Sequence, residues 1–264
     1  MVTEYRMQWL TTTEFANMVS STTVAIVPFG ATEQHGPHLA LGADGRIAEK
    51  LAEAVVNACQ GSAIMAPPIN IGFSPHHVDF PGTISASVKT LQALLSDVFD
   101  SLAHHGITRY IIMNAHGGNL AFLPAFLAEV RREKGLLVGL VHWSLLGRDV
   151  VVEIATSEVY GHACEVETSL ALAVDPDIVR DRELPAAATL VQAPFHLLRG
   201  HAVPERAVGV FLPRSFDEIT KEGFLGAPNQ ARLEAGKRVL DVVVQRTVEF
   251  VQYLAEMRPA DSPA

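Results

Sequence analysis

The chain has 264 residues, a formal net charge of −9 at pH 7, 48% hydrophobic residues and 19% charged residues. These values are typical of one globular domain with a sizeable core, which we expect to span residues 1–264 with a frayed tail at 257–264. The acidic charge and the lack of a long Lys/Arg run exclude nucleic acid as a main partner.

The sequence has only two cysteines and shows no secretory-signal or membrane-spanning pattern. Cys59 and Cys164 are too few for a disulfide framework, and we expect Cys164 to pack as a small hydrophobic residue. The N-terminal residues lack the apolar core of a secretory signal, and no apolar run reaches the roughly 18 to 20 residues that cross a bilayer. We therefore expect a cytoplasmic protein with no membrane partner.

Strand-like and helix-like segments alternate along the chain. A β-branched run at 22–30 predicts a buried strand, and apolar residues at helical spacing follow it in 44–59. The remaining predicted elements are a strand within 61–72, helices at 87–106, 120–135 and 229–257, and strands at 107–115 and 136–143. This order implies an α/β fold with a mostly parallel sheet and helices on both faces.

The stretch "VPFGATEQHGPHLALGAD", 27–44, crowds acidic and imidazole side chains into the loop after the first strand. Glu33 and His35 are two apart, so in extended backbone both side chains leave on the same side. Asp44 stands where the next helix would have its N-cap, and His116 follows the strand at 107–115. In an open parallel sheet these loops meet at the carboxyl edge of the strands, so we expect one site there.

This set of carboxylates and imidazoles suits Zn²⁺ or Mn²⁺, with Fe²⁺ as a further option. One or two ions could bind, and Asp44 is the candidate for a bridge between two. Taken singly, each of these residues is more simply a loop residue or a helix cap, and it is their combination that points to a metal. His38, beyond Pro37, has a weaker claim to bind metal and is expected either to support a metal ligand or to have a structural role.

Four motifs resemble those of the creatininase (creatinine amidohydrolase) family in order and spacing. They are "VPFGATEQHGPHLALGAD", "GFSPHHVDFPGTIS", "NAHGGN" and "GHACEVETSLAL". The resemblance implies a three-layer α/β/α sandwich, a divalent-metal centre, hydrolysis of a non-peptide amide or related C–N bond, and a homohexamer. It also implies that Glu33, His35, Asp44 and His116 are metal ligands, with Asp44 bridging.

One motif departs from creatininase itself. Creatininase has "HYEN" where this chain has "HGGN", so Gly118 stands in place of a metal-binding carboxylate, as in other branches of the family. We expect the replacement ligand from "HACEVETS". His162 and Glu165 are three apart and would share one face of a helical turn, which predicts Glu165 as ligand and His162 as general acid or base. Glu167 is the rival ligand; otherwise it is a catalytic-site residue that orients a metal-binding His.

Substrate contacts are expected from the remaining motif residues. His77 is predicted to touch substrate, although a polar turn closed by "FPGT" is an equally good interpretation of its segment. The Gly117 and Gly118 amides could hydrogen-bond a developing oxyanion, although a tight strand-to-helix turn also explains both glycines. Asn119 is predicted to cap the following helix. Substrate identity should lie mainly in residues 142–160 and in the irregular region 184–224. There, three residues could meet an anionic group: Arg199, His201 and Arg206.

The function predicted from these residues is a metal-dependent amidohydrolase. It would hydrolyse a small non-peptide amide, cyclic or formamide, by a metal-activated water. The alternative is a metal-dependent ring-opening hydrolase or isomerase acting on a cyclic polyol ketone, and a third hypothesis is a non-catalytic, metal-stabilised scaffold. The expected partners are a small-molecule substrate and further copies of the chain.

Overall fold

The structure is a computed structural model that describes residues 4–180, 182, 184–191 and 212–257. Three residues predicted to meet an anionic group, Arg199, His201 and Arg206, lie outside the described residues, as does most of the predicted tail, 258–264. None of the helices in the described part of the chain is long and apolar enough to cross a membrane.

One four-stranded sheet forms the centre of the fold, and all its strand pairs are parallel. The strand order is β2-β1-β3-β4. In chain order the strands are β1 (Val24–Phe29), β2 (Ala63–Met65), β3 (Arg109–Asn114) and β4 (Leu137–His142). Every residue of β1 and β3 is buried, as expected for a parallel sheet that is covered on both faces.

Eight α-helices connect and cover these strands in the described residues. In chain order they are α1 (Thr12–Met18), α2 (Ala43–Cys59), α3 (Val88–His104), α4 (Leu123–Lys134), α5 (Trp143–Leu146), α6 (Arg148–Ile154), α7 (Glu165–Val174) and α8 (Leu233–Glu256). Short 3₁₀ turns lie between them, among them Gly117–Ala121 after β3.

Two hydrophobic cores lie on opposite faces of the sheet because successive strand residues point to opposite sides. Ile26 and Ile111 pack in one core with α2, α7 and α8. Val27 and Ile112, the next residues along the same strands, pack in the other core with α3 and α4. The predicted three-layer α/β/α sandwich around a parallel sheet is thereby confirmed.

A buried cation joins the start of β3 to the end of α8. The Arg109 guanidinium donates to the carbonyl oxygens of Leu254 at 2.9 Å and Met257 at 2.7 Å, and also to that of Ser21. Charge-assisted bonds to buried carbonyls are among the stronger hydrogen bonds in a protein. They fix the C-terminal helix at the edge of the sheet opposite the carboxyl ends of the strands.

Two predicted helix caps are wrong. Helix α2 begins at Ala43 with Gly42 as its N-cap residue, so Asp44 lies inside the first turn rather than at the cap. Its carboxylate is turned toward imidazoles instead. Asn119 does not cap α4, because that helix begins four residues later, with Phe122 as its N-cap residue. The Asn119 side chain accepts a hydrogen bond from the amide of Phe73 at 3.0 Å.

Candidate metal centre

Four side chains predicted as ligands meet at the carboxyl edge of the sheet. Glu33 and His35 follow β1, Asp44 lies in the first turn of α2, and His116 follows β3. The close contact of α2 with the end of β1 depends on Gly30, because a Cβ there would overlap the backbone of Gly45. The first turn of α2 therefore reaches the sheet edge and delivers Asp44 to the site.

Asp44 lies between two imidazoles. Its Oδ1 is 3.3 Å from His35 Nε2, and its Oδ2 is 3.1 Å from His116 Nδ1. The same His116 nitrogen is 3.2 Å from Glu33 Oε1. Because each Asp44 oxygen faces a different imidazole, this carboxylate has the placement that a bridge between two ions requires.

Backbone carbonyls orient both imidazoles. His35 Nδ1 donates to the carbonyl of Glu33 at 3.0 Å, which directs Nε2 toward Asp44. His116 Nε2 donates to the carbonyl of Phe73 at 2.9 Å, which directs Nδ1 toward Asp44 and Glu33. Metal-binding histidines usually have such a partner on the ring nitrogen that does not bind the ion.

Buried carboxylate oxygens without hydrogen bonds show that the site fits a cation. Both oxygens of Glu33 and Oδ2 of Asp44 are buried and have no hydrogen-bond partner among the described residues. Burying an ionised carboxylate is costly unless it is paired or binds a metal. Carboxylate and imidazole groups of the site also form three sets whose potential ligand atoms all lie within 4.8 Å of one another: Glu33/His35/Asp44, Glu33/His77/His162 and His35/His162/Glu167.

The carboxylates perturb the titration of the imidazoles. Burial disfavours charge on His35, but the neighbouring carboxylates, Asp44 foremost, outweigh it and raise its pKa to about 10. The pKa of His116 is likewise raised well above its ordinary value, because Glu33 and Asp44 outweigh burial. In the metal-free protein, therefore, protons neutralise the carboxylates that a cation would otherwise neutralise.

His162 and His77 both lie close to the Glu33 carboxylate. His162 Nδ1 and His77 Nε2 are each 3.5 Å from Glu33 Oε1. The His162 side chain is 14% exposed, against 2% for His77, so it is the imidazole that solvent or substrate reaches. Burial and the neighbouring histidines lower the pKa of His162 well below its ordinary value, which keeps the ring neutral.

Gln34 belongs to this cluster, although the sequence analysis did not single it out. Its side-chain Nε2 is 2.8 Å from His77 Nδ1 and 3.0 Å from His162 Nε2, and its carbonyl oxygen is 2.7 Å from the same His162 nitrogen. The sequence feature that could have identified Gln34 is its position between Glu33 and His35. An amide in a loop is so common, however, that its type alone does not indicate a role.

The structure does not bring Glu165 to the cluster. Its Oε1 accepts from the amides of Thr156 and Ser157 at 3.0 and 2.8 Å, and its Oε2 accepts from the amide of Ala227 at 3.0 Å. The expectation that His162 and Glu165 share a helical face is wrong, because α7 begins only at Glu165 and His162 precedes it.

Glu167 lies in the cluster instead. It belongs to one of the three sets of potential ligands, together with His35 and His162. Its Oε2 accepts from the amide of Ala163 at 2.6 Å. Burial, with a smaller contribution from Asp44, raises its pKa to about 7 despite the nearby His35. Cys164, next to this turn, is buried in the larger core, as expected for a packing residue.

The two glycines after His116 have different surroundings. A Cβ at Gly118 would overlap the carbonyl oxygen of Phe73 and the His116 ring, and would lie 3.0 Å from His76 Cε1. A Cβ at Gly117 would meet nothing within 4 Å. The segment that contains Phe73 and His76 therefore closes the position at which creatininase is expected to have a carboxylate.

A cleft of about 490 Å³ lies beside the cluster. Gln34 forms part of its wall, next to the apolar side chains of Leu41, Phe80 and Phe224. Lys221 and Glu222 also line it, so the cleft has one charged side chain of each sign. Gln34 links this cleft to the cluster, because its side chain also contacts His77 and His162.

Comparisons with known proteins agree with this geometry. Residues 8–251 match the family model named Creatininase, described as creatinine amidohydrolase. A mycofactocin precursor peptide peptidase of Mycolicibacterium smegmatis is 33% identical over 234 residues, which cover 87% of this chain and 84% of the relative. The chain belongs to the creatininase family.

Solved structures of creatininase share the fold. A creatininase variant described as the Zn–Zn type superposes with a TM-score of 0.81 at 23% identity, over 97% of this chain and 100% of that one. A structure described as creatininase Mn has a TM-score of 0.80 at 24% identity, with the same coverage. Because the chain belongs to this family, the expectation of a metal-dependent hydrolase is confirmed at the level of the family.

Proposed function

We propose that this member of the creatininase family hydrolyses an amide C–N bond with one or two divalent metal ions, Zn²⁺ or Mn²⁺. The observation that carries the proposal is the set of buried Glu33 and Asp44 oxygens that lack hydrogen bonds and face imidazoles. Carboxylate and imidazole donors suit both ions, and solved creatininases are described with each.

The proposed ligands are Glu33, His35, Asp44, His116 and Glu167. Glu167 takes the place that the sequence analysis gave to Glu165, because its carboxylate lies beside His35 whereas that of Glu165 is engaged by backbone amides. When bound, the ions lower the pKa of a water molecule toward about 7 and polarise the amide carbonyl.

His162 is the proposed general acid and base. Its ring is neutral and 14% exposed, and Gln34 holds one of its nitrogens. A neutral imidazole can accept a proton from the attacking water and deliver it to the departing nitrogen. His77 and the Gly117 amide are proposed to contact the substrate. Gly118 instead keeps His116 in position, because its lack of a side chain leaves room for the Phe73 carbonyl.

Two substrate classes fit this site. The sequence resemblance favours a small non-peptide amide or a formamide. The relatedness to a mycofactocin precursor peptide peptidase and the 490 Å³ cleft, with apolar walls and Lys221, favour a peptide amide. The cleft is larger than a formamide requires, and a few charged side chains among apolar ones, here Lys221 and Glu222, are typical of a site that orients an extended ligand.

A substrate panel with and without chelator tests the proposal. Formamides, cyclic amides, short peptides and cyclic polyol ketones would be assayed with the metal-reconstituted enzyme, with His162→Gln as the control variant. We expect amide hydrolysis that chelation abolishes and added metal restores. Turnover of polyol ketones alone would instead favour the ring-opening or isomerase alternative. A cytoplasmic homohexamer remains a prediction from the family resemblance.

A further inference from the structure

Ala163, between His162 and Cys164, has a backbone conformation that its side chain disfavours. Its φ is +51°, in the left-handed region, and the residue is fully buried. The only other residue with a Cβ and a positive φ in the described chain is Gln60, at the end of α2. A Cβ makes this region unfavourable, so other contacts must hold the Ala163 backbone there.

Three hydrogen bonds hold this turn from different directions. The Ala163 amide donates to Glu167 Oε2 at 2.6 Å, and the Ala163 carbonyl oxygen lies 2.9 Å from His38 Nε2. The carbonyl of His162 accepts from the amide of Leu225 at 2.9 Å. Of these three bonds, only the one from His38 comes from the loop that contains Glu33 and His35. Gln34 of the same loop contacts the His162 ring, so His38 is the residue of that loop that holds the Ala163 backbone itself.

The His38 side chain makes a single hydrogen bond among the described residues, to the carbonyl oxygen of Ala163. The side chain is fully buried, and its Nδ1 has no hydrogen-bond partner among the described residues. Because a carbonyl can only accept, Nε2 must carry the proton and donate it. The ring meets Phe224 edge-on, with centroids 5.6 Å apart. Burying an imidazole with one nitrogen unpaired is unfavourable, and a hydrophobic residue would fill the space without that cost.

We propose that His38 is a positioning residue that holds the left-handed turn at Ala163 and thereby places both His162 and Glu167 in the site. This inference rests on the proposed function, since these are its acid/base residue and one of its ligands. With the turn held, the Glu167 carboxylate folds back onto the Ala163 amide beside His35, and His162 faces Glu33. Without the bond from His38, the Ala163 peptide can rotate toward the negative φ that its Cβ prefers, which moves both side chains.

The test measures the affinity of the metal-free protein for Zn²⁺ alone, by competition with a chromophoric chelator. His38→Phe keeps a ring against Phe224 but removes the donor. His38→Gln places an amide N–H near the position of Nε2, whereas His38→Asn places it nearer Nδ1, away from Ala163. Ala163→Gly removes the cost of the left-handed backbone.

We expect His38→Phe and His38→Asn to weaken Zn²⁺ binding about 10- to 100-fold, as loss of a residue that orients metal ligands commonly does. His38→Gln should retain most of the affinity. Adding Ala163→Gly to His38→Phe should recover most of the loss, because glycine adopts the turn without help. Thermal unfolding of each metal-free variant shows whether it is folded. If His38→Phe does not fold, the Zn²⁺ affinities of His38→Gln and His38→Asn still test the inference.

The inference is overturned if His38→Asn binds Zn²⁺ as tightly as His38→Gln, or if Ala163→Gly recovers nothing in the His38→Phe background. A residue that only fills space would lower the melting temperature in all three His38 variants without this pattern of affinities. A wild-type protein that binds Zn²⁺ but hydrolyses no amide would overturn the proposed function. The inference about His38 would still be tested by the Zn²⁺ affinities of the variants.

Discussion

Gly118 gives the sharpest test of how the backbone shapes the site, because Gly117 beside it is a matched control. Both glycines belong to the same 3₁₀ turn, and neither has a positive φ. An alanine at 118 would place its Cβ against the carbonyl of Phe73 and the ring of His116, whereas an alanine at 117 has open space. The two substitutions therefore differ only in what the added methyl group meets.

The expected magnitude follows from that overlap. Forcing a methyl group into a packed site typically costs about 1 to 3 kcal/mol, and the upper end applies here because backbone cannot rotate away as a side chain can. The same displacement moves the Phe73 carbonyl, which accepts the hydrogen bond from His116 Nε2 at 2.9 Å. Loss of such an orienting bond lowers metal affinity about 10- to 100-fold.

Thermal unfolding of the metal-free proteins and Zn²⁺ competition titrations measure both effects. Gly117→Ala should have a free energy of unfolding equal to that of wild type or up to about 1 kcal/mol higher, since alanine restricts the unfolded chain. Gly118→Ala should lose stability and Zn²⁺ affinity together. If Gly118→Ala matches Gly117→Ala in both measurements, the close packing of Phe73 and His116 over Gly118 is refuted.

Three further predictions concern proton transfer, pH and stability. His162→Gln should retain Zn²⁺ but lose roughly 10²- to 10⁴-fold in turnover, measured with the best substrate of the panel; a variant as active as wild type would exclude the acid/base role. Zn²⁺ binding at pH 7 should release roughly two to three protons per subunit, one each from His35 and His116 and a fraction of one from Glu167, detectable by calorimetry in buffers of different ionisation enthalpy. The pKa of His35 is raised from 6.5 to about 10, and the pKa of His116 is also raised. These two imidazoles therefore stabilise the metal-free protein fully below about pH 6.5, and this stabilisation is lost as the pH rises toward 10. Arg109→Leu should lower the free energy of unfolding by about 2 to 3 kcal/mol in denaturant titrations, since its buried carbonyl partners lose their donor; an unchanged midpoint would contradict this.

The sequence predicted the parts of this molecule that depend on local pattern. β-Branched runs predicted the strands, and the alternation with amphipathic helices predicted a parallel sheet covered on both faces. The rule that loops meet at the carboxyl edge of such a sheet then brought Glu33, His35, Asp44 and His116 together, as the structure shows.

The errors arose where a single backbone angle decides the direction of a side chain. Spacing alone put His162 and Glu165 on one helical face, but the left-handed Ala163 separates His162 from α7. Glu167, and not Glu165, lies beside His35. Asp44 was expected at the N-cap because its residue type is common there. The helix in fact begins one residue before Asp44, at Ala43, and its first turn packs closely on Gly30 through Gly45. This close packing has no local sequence signature.

The measurement that tests the account most directly is Zn²⁺ per subunit after reconstitution, by elemental analysis, in wild type, Asp44→Asn, Glu167→Gln and Glu165→Gln. The account predicts one or two equivalents in wild type, a loss in Asp44→Asn and Glu167→Gln, and the wild-type content in Glu165→Gln. Wild-type protein that binds no Zn²⁺ or Mn²⁺, or that loses metal only in Glu165→Gln, would contradict it.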